Sequence, residues 1–230
     1  QLQSAMAGES NTPVIWLQGA GCNGDSVSFL NSIYYGTADS ILQNIIDLEY
    51  HPTLMAAAGE LAVSAAEAAK SLGGYILVIE GSIPTGSSGK YCMIWEGMTM
   101  QNALTTYAPN ASYILAVGTC AAYGGVSAGA PNPTTSTGVV GVLGNLAKII
   151  NIPGCPAHPD WVVGTIAYIL ANHTAPPLDS NRRPTQFFGK KIHDWCSERR
   201  RYCGQSHKAS QLGQDGCLET LGCKGGSTYA

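Results

Sequence analysis

Short, continuous apolar runs recur along the chain and are separated by segments of helical character. The runs at residues 14–17, 75–80 and 112–118 are rich in aliphatic and aromatic side chains. Runs of this length and composition are typical of strands that are buried on both faces of a parallel sheet. Three strands of a central sheet are therefore predicted at these positions, and the end of the apolar segment 41–50 is also strand-like.

Helices are predicted between and after these strands. The alanine-rich segment 54–72 should form a helix with Thr53 as its N-cap and Gly73 at its end. Further helices are predicted at residues 97–107 and 139–150, and Asp160 is expected to cap a helix that ends at Asn172. This alternation predicts an α/β fold with a doubly wound parallel sheet.

Thiols and carboxylates follow the ends of the predicted strands. Cys22 and Asp25 come after the first run, Glu80 ends the second, and Cys120 and Cys155 follow later segments. Because the carboxyl ends of parallel strands meet at one edge, we expect these groups to converge there. Their chemistry suits an iron–sulfur cluster or zinc, or they are plain core cysteines. Glycine and other small neighbours, as in GAGCNGD, GTCAAYGG and PGCP, favour the bulkier cluster.

A second domain is predicted after a polar, proline-rich linker, APPLDSNRRPTQ. We place the boundary near residue 178, with the doubly wound α/β domain at 1–178 and a small, loop-rich domain at 179–230. The second domain is too small for a strong core and should need a staple. A zinc knot or a cluster with one imidazole ligand could supply it. The candidate ligands are His193, Cys196, Cys217 and Cys223.

The charge of the chain is low and unevenly distributed. Only 12% of the 230 residues are charged, which predicts that part of the surface is covered by a partner subunit. Eight of the 12 basic residues lie between Asn181 and Lys208. This basic patch is either a solvated face, or a docking surface for an acidic partner or nucleic acid.

No apolar run of about 18 residues is present, so no membrane span is predicted. The segment QLQSAMAGESNTP lacks the charged and apolar regions of a secretory signal, and no Arg–Arg pair precedes residue 180. We therefore expect a cytoplasmic location, with peripheral membrane association left open. In that setting eight cysteines favour metal or cluster binding over a disulfide framework.

Six segments resemble, in order and spacing, the small subunit of nickel–iron uptake hydrogenases. They are WLQGAGCNGDS, VIEGSIPTG, AVGTCAAYGG, IPGCPAHPDW, FFGKKIHDWC and GCLETLGCKGGSTY. The resemblance extends over residues 14–229 and is closest to the actinobacterial-type branch. It implies the flavodoxin-like fold for the first domain and an iron–sulfur role for the second.

The resemblance also implies two sets of ligands. Cys22, Cys120 and Cys155 match ligands of the proximal [4Fe-4S] cluster, and Asp25 replaces the fourth cysteine; we call these four residues the proximal site. His193, Cys196, Cys217 and Cys223 match the ligands of the distal [4Fe-4S] cluster; we call them the distal set. A neutral imidazole in place of a thiolate should make the distal cluster easier to reduce.

Several cysteine positions differ from those of relatives. Oxygen-tolerant membrane-bound members carry two extra cysteines where this chain has Gly24 and Gly125, so a [4Fe-3S] proximal centre is not expected. Ligands of a middle cluster, [3Fe-4S] or [4Fe-4S], would lie beyond Ala230. Cys92 and Cys203 match no ligand of the family, and both are predicted to be plain thiols. The alternative for Cys203 is that it acts as a substitute ligand of the distal cluster.

The implied function is electron transfer from hydrogen oxidation in a large, nickel–iron subunit to an acceptor protein or a quinone pathway. The chain itself would hold no catalytic residue, and heterodimers could form a higher oligomer. One alternative is the cluster-bearing subunit of a complex-I-like oxidoreductase, which lacks a segment like FFGKKIHDWC. The other is a zinc-stapled protein that binds nucleic acid through its basic patch.

Overall fold

The computed structural model describes residues 11–197 and 208–229. The chain divides into two compact units; the first ends at Pro176 and the second begins at Pro177. The assignment of separate cluster-binding domains to 1–178 and 179–230 stays a prediction.

The first unit is built on a sheet of five parallel strands in the order β2-β1-β3-β7-β9. Counted along the chain, these strands have the order 2-1-3-4-5, which is the flavodoxin-like order with its switch point between the first and third strands. The predicted fold class is thus confirmed. The strands of the described residues are β1 (Thr12–Gln18), β2 (Ile46–Tyr50), β3 (Ile76–Glu80), β4 (Ile83–Pro84), β5 (Met93–Trp95), β6 (Met98–Thr99), β7 (Tyr113–Val117), β8 (Ser136–Thr137) and β9 (Ile149–Ile152).

Helices flank the sheet and fill the connections between its strands. In the described residues they are α1 (Gly24–Phe29), α2 (Ala38–Asn44), α3 (Gly59–Leu72), α4 (Met100–Tyr107), α5 (Gly118–Tyr123), α6 (Val139–Leu143), α7 (Pro159–Asn172), α8 (Thr185–Phe188) and α9 (Ile192–Trp195). Short 3-10 turns cover Gly86–Gly89, Ala108–Asn110, Val126–Ala128 and Leu218–Leu221.

The core lies on both faces of the central strands. Ile15 and Leu17 of β1 join the cluster formed with α3, α4 and α5, whereas Val14 and Trp16 are equally buried but point away from that cluster. This period-two alternation with apolar residues on both sides is what a two-face-buried strand requires. The continuous apolar runs seen in the sequence have this cause.

Strand register brings the chemistry-bearing loops to one edge. Gln18 of β1 pairs with Glu80 of β3, Glu80 pairs with Val117 of β7, and Val117 pairs with Ile152 of β9. Because all four strands are parallel, the loops that follow these residues leave the sheet side by side. The next few residues of each loop include the cysteines and the aspartate of the proximal site.

Three sequence-based expectations for the helices are wrong in detail. The helix predicted at 139–150 stops at Leu143, because Gly144 at φ +68° turns the chain, and Ile149–Ile152 instead forms strand β9. Thr53 is not a helix cap: its backbone N–H donates to His51 Nδ1, and α3 begins only after Ala58. At α7 the N-cap is His158, whose side chain accepts from the Asp160 N–H.

The second unit is short and irregular. Its described residues form α8, α9, the 3-10 turn Leu218–Leu221 and isolated bridges such as Lys191 to Tyr229 and Lys208 to Cys217. Of its large apolar side chains in the described range, Phe188 is fully buried. Such a unit has little apolar area with which to offset its conformational entropy. Within residues 11–197 and 208–229, none of the helices combines the length and apolar character needed to span a bilayer.

Candidate functional site

The four residues of the proximal site line one cavity at the carboxyl edge of the sheet. Cys22 and Asp25 follow β1, Cys120 lies in α5 just after β7, and Cys155 follows β9. The cavity has a volume of about 80 Å³, and glycines form much of its remaining wall. The structure therefore brings together the residues that the sequence singled out; their role as ligands stays a prediction.

Glycines keep backbone and side chains clear of the proximal site. A Cβ atom at Gly125 would lie 2.5 Å from the Cys120 sulfur, and one at Gly24 would lie 3.1 Å from the Cys22 sulfur. A Cβ at Gly118 would overlap the Asp25 carboxylate. A group larger than a single ion needs such room around each of its ligands. These glycines explain why small residues accompany every candidate ligand in the sequence.

Asp25 is held firmly and is 8% exposed. Its Oδ1 accepts a hydrogen bond of 2.7 Å from the backbone N–H of Ala157. No donor among the described residues reaches the other oxygen, Oδ2. Burial raises the pKa of Asp25 to about 6; the Ala157 hydrogen bond opposes the rise, and the charge of Glu80 adds to it. A bound cation would favour the ionised form of this carboxyl.

The three thiols of the proximal site differ in exposure. Cys22 and Cys155 are exposed and Cys120 is half-buried, so the cavity opens at the surface of the first unit. Burial raises the pKa of Cys120, and the charges of Cys155, Asp25 and Cys22 raise it further. Four groups that become anionic together repel one another unless positive charge lies between them. An iron cluster, which binds thiolates, would supply that charge.

The donor set and the room around it can be compared with the needs of a cluster. In the described part of the chain, no group of three or more His, Cys, Asp or Glu side chains is arranged to hold a single metal ion. The three thiols and the carboxylate of the proximal site line one cavity, and glycines leave space beside them. This donor set and these glycine walls fit a [4Fe-4S] cluster with Asp25 in place of one thiolate.

Glu80 supports the proximal site from beneath. It is 1% exposed at the end of β3, and its Oε1 accepts from the backbone N–H groups of Asp25 and Ser26, both at 3.0 Å. Its Oε2 accepts from Trp16 Nε1 and Gln18 Nε2, also at 3.0 Å, and from the Ser26 hydroxyl. All five donors belong to strand β1 or to the residues that follow it, so Glu80 ties the two neighbouring strand ends together.

The sequence did not predict the other residues of the hydrogen-bond network around Glu80. Ser26 and His51 are buried polar residues, and His51 Nε2 lies 3.2 Å from the Ser26 hydroxyl oxygen. The one available signal was Glu80 itself, because an acidic residue that ends an apolar strand needs several donors when it is buried. The sequence did not indicate where those donors would come from.

The distal set is brought together only in part. Gly225 lies between two of its members: the Cys223 sulfur accepts from the Gly225 N–H, and the His193 N–H donates to the Gly225 carbonyl at 3.0 Å. Cys217 begins the turn that leads to Cys223, whose N–H donates to the Leu218 carbonyl. Cys196 directly follows α9, and within the described ranges no hydrogen bond joins it to the other three.

The two unmatched cysteines have different outcomes. Cys92 is partly buried and packs against the main apolar cluster, and burial raises the pKa of its thiol. It is therefore a plain packing thiol in this structure. Cys203 lies outside the described residues, so its alternative role as a distal ligand stays a prediction.

Comparison with known proteins decides the family. A protein-family model described as NADH ubiquinone oxidoreductase, 20 Kd subunit, matches residues 22–169. The periplasmic [NiFeSe] hydrogenase small subunit of Desulfomicrobium baculatum is 41% identical over 243 residues, which cover 97% of this chain and 76% of that protein. The chain belongs to the small subunits of nickel–iron hydrogenases. The family model of the 20 Kd subunit matches only residues of the first unit, whereas the hydrogenase relatives match the second unit as well.

Solved hydrogenase structures agree with this membership. A chain of the H2-activated Dm. baculatum [NiFeSe]-hydrogenase superposes with a TM-score of 0.87 at 40% identity, covering 96% of this chain and 86% of that chain. An actinobacterial-type hydrogenase from Ralstonia eutropha H16 gives 0.83 at 27% identity, over 97% and 72%. As a hydrogenase small subunit the chain is part of an oxidoreductase, and small subunits of this family carry iron–sulfur clusters. Those two predictions are confirmed at this level.

Proposed function

We propose that this chain passes electrons from a nickel–iron large subunit through a proximal and a distal cluster to an acceptor. The observation that carries the proposal is the cavity at which the four residues of the proximal site meet. A bound [4Fe-4S] cluster would supply a one-electron carrier there. The chain's own residues hold that carrier, keep bulky groups away from it and leave one side open to the partner.

Exposed apolar side chains follow the ligands of the proximal site within a few residues; we call Val27, Leu30 and Val126 the apolar rim. Val27 and Leu30, on and just after α1, are 55% and 42% exposed. Val126, a few residues after Cys120, is 92% exposed. Exposed apolar side chains beside candidate ligands favour coverage by a large, permanent partner. We propose that the nickel–iron subunit docks on this rim and closes the cavity.

The heterodimer can be tested by purification of the tagged chain from its native host. We expect a larger, nickel-containing subunit to co-purify, together with iron and acid-labile sulfide. Leu30→Glu should release that subunit, whereas Leu72→Glu, at a position 88% exposed on α3, should retain it. Zinc without sulfide, or bound nucleic acid without a nickel subunit, would favour the zinc-stapled alternative and overturn the relay.

Asp25 is proposed as an iron ligand, as in the actinobacterial-type branch that the motifs resemble. The Ala157 hydrogen bond fixes Oδ1, so Oδ2 is the oxygen that remains for iron. Thiolate donates more electron density than carboxylate, so Asp25→Cys should lower the potential of the proximal cluster. The control Asp47→Cys adds a thiol on β2 without touching the site. An unchanged potential in Asp25→Cys would contradict ligation by Asp25.

The distal set is proposed to hold a second [4Fe-4S] cluster, with His193 as its imidazole ligand. The support is the shared contact of His193 and Cys223 with Gly225. His193→Cys replaces a neutral ligand by an anionic one and should lower the potential of the distal cluster alone. Electron paramagnetic resonance of the reduced heterodimer checks this. A shift confined to the proximal signal would contradict the assignment.

The acceptor is proposed to be an acidic electron-carrier protein that docks on the second unit. Lys190 lies over the ring of Trp195 at 4.4 Å, and Lys191 lies over the ring of Tyr229 at 5.6 Å. Both lysines adjoin α9, which carries His193. Paired cations on partly exposed aromatic rings suit an acidic partner close to the electron exit.

Charge reversal tests the acceptor site. Lys190→Glu should slow electron delivery to an acidic carrier by roughly three- to tenfold at low ionic strength, and added salt should remove most of the difference. The control Lys90→Glu changes the net charge equally, on the first unit. Equal rates in both variants would favour a quinone pathway instead.

The cellular setting is also proposed. We place the protein in the cytoplasm, with peripheral attachment to a membrane as an option, and expect heterodimers to associate further. Cell fractionation with an antibody to this chain tests the location, and light scattering of the purified complex tests the oligomer. Recovery in a periplasmic extract, where several relatives act by name, would overturn the cytoplasmic location.

A further inference from the structure

We infer that Glu80 is a positioning residue for the proximal site: its carboxylate holds the backbone that carries Asp25 and lowers the reduction potential of the cluster bound there. This inference rests on the proposed function, because it requires a cluster at that site. It concerns a residue that is not itself assigned as a ligand.

The first step is the protonation state of Glu80. Its two oxygens accept five hydrogen bonds, two from backbone N–H groups and three from side chains. A protonated carboxyl would have to give up one of these acceptor positions to its own proton. Both oxygens accept hydrogen bonds that stabilise the ionised form of the carboxyl group, and the residue is 1% exposed. Glu80 is therefore an ionised carboxylate buried next to the proximal site.

The second step assigns the protons in the hydrogen bonds around the Ser26 hydroxyl group. His51 Nδ1 accepts from the backbone N–H groups of Thr53 and Leu54, at 3.1 and 3.2 Å. The proton of the neutral ring is thus on Nε2, which donates to the Ser26 hydroxyl oxygen. Gln18 Nε2 donates to the same oxygen at 2.8 Å, and the hydroxyl proton goes to Glu80. Every donor and acceptor of Ser26 is used, which fixes the direction of all these bonds.

The third step connects the network to Asp25. The N–H groups of Asp25 and Ser26 belong to the first turn of α1, where backbone donors lack partners within the helix. No side chain of α1 or of its N-cap residue caps the helix. Glu80 Oε1 acts as the cap instead, although it lies 55 residues from Asp25 and 54 from Ser26 in sequence. Asp25 is therefore fixed at its backbone by Glu80 and at its side chain by Ala157. Two anchors on opposite sides of one ligand leave little freedom for its second oxygen.

The last step is electrostatic. A buried negative charge near a cluster disfavours the added electron, so it lowers the reduction potential. Glu80 contacts the Asp25 and Ser26 backbone directly, at 3.0 Å in both cases. The same charge should act on a cluster that Asp25 helps to hold. Removal of the charge should then shift the potential upward while the three thiol ligands remain unchanged.

The test is Glu80→Gln in the purified heterodimer. The reduction potential of the proximal cluster is measured by redox titration followed by electron paramagnetic resonance. We expect a positive shift and an altered spectrum at wild-type iron content. Glu49→Gln, on strand β2, removes the same charge outside the network and should leave both unchanged. A wild-type potential and spectrum in Glu80→Gln, or an equal shift in Glu49→Gln, would overturn the inference.

A second variant covers the case in which Glu80→Gln does not assemble. Ser26→Ala keeps the charge and both backbone hydrogen bonds, and removes only the hydroxyl. We expect it to assemble, to keep the potential within the range of the wild type, and to lose iron several-fold faster to a chelator. Iron loss at the wild-type rate would overturn the positioning role. Absence of iron and sulfide from the wild-type protein would instead refute the proposed function itself.

Discussion

The proximal site and the distal set are two candidate cluster sites that the chain constructs in opposite ways. The proximal site lies on the edge of a five-stranded sheet, with Asp25 and Glu80 buried and each ligand loop tied to a strand by its register. The distal set lies on short turns, with His193 and Cys223 exposed. The first site is shaped by the fold, whereas the second unit would depend on its proposed cluster to complete its shape.

The physical origin of this difference is the apolar core. The central strands of the first unit are almost completely buried, and helices from α3 to α6 contribute to the same cluster. The second unit buries Phe188 and little else of comparable size among its described residues. Burial of apolar side chains stabilises by about 2 kcal/mol each, so only the first unit can hold its loops without help.

Removal of iron should produce the largest effect. After chelation under reducing conditions, amides of β1, β3 and β7 should keep their protection from hydrogen exchange, because their bonds lie inside a dry core. Amides of α9 and of the 218–221 turn should exchange at rates near those of an unfolded chain, because the proposed distal cluster would contribute most of their stability.

Hydrogen exchange with mass spectrometry resolves both units in one sample of the heterodimer. Reconstitution with iron and sulfide is the control and should restore protection in the second unit. The comparison fails if the second unit stays protected without iron, or if the sheet strands lose protection together with it.

The difference between the units also explains what the sequence could predict. Continuous apolar runs predicted β1, β3 and β7, and parallel packing then placed Cys22 and Cys120 at one edge. These are local patterns with one global consequence. Strand β9 was missed because IINI lies in an apolar stretch that also suits a helix, and only the conformation of Gly144 separates the two.

The support beneath the proximal site could not be predicted for another reason. The bonds of Glu80 to Asp25 and Ser26 join residues 55 and 54 positions apart, and no periodicity encodes such a pair. His51 directly follows strand β2, and its ring lies against Trp16 and Ser26. Partners of buried polar groups follow from the packed structure, and only the need for them is visible in the sequence.

Gly118→Ala should have the next largest effect, confined to the proximal site. Gly118 has φ +81°, and a Cβ there would overlap the Asp25 carboxylate and lie 2.7 Å from its Cγ. The carboxylate cannot move aside without loss of the Ala157 hydrogen bond. We expect the variant to lose most of the iron of the proximal site and to keep the signal of the distal cluster. Iron analysis and electron paramagnetic resonance spectra measure both.

Gly144→Ala is the matched control for this substitution. Gly144 has φ +68°, and a Cβ there meets no atom within 4 Å. Both substitutions carry a backbone cost because both glycines have positive φ, but only Gly118→Ala also brings a side chain into contact with Asp25. Equal iron content in the two variants would show that the space beside Asp25 is not needed.

Acid should affect the support of the proximal site through His51, with a smaller effect. Burial lowers the pKa of His51 to about 4 from 6.5, although the charge of Glu80 opposes that shift. Between these values the unfolded chain binds the proton more readily than the folded one. Stability from the neutral ring is therefore complete above pH 6.5 and decreases as pH falls to 4, by about 3 kcal/mol in total.

His51→Asn should remove this pH dependence. The free energy of opening of the β1 and β3 amides, from hydrogen exchange between pH 4 and 7, should decrease less steeply in the variant than in the wild type. Asp25 and other carboxyls titrate in both proteins, so the difference in slope isolates His51. His158→Asn, at an exposed histidine of the same unit, should keep the wild-type slope. Parallel slopes in His51→Asn and wild type would mean that the ring accepts a proton without disturbing Ser26 and Glu80, and the proximal site would then owe its shape to the sheet alone.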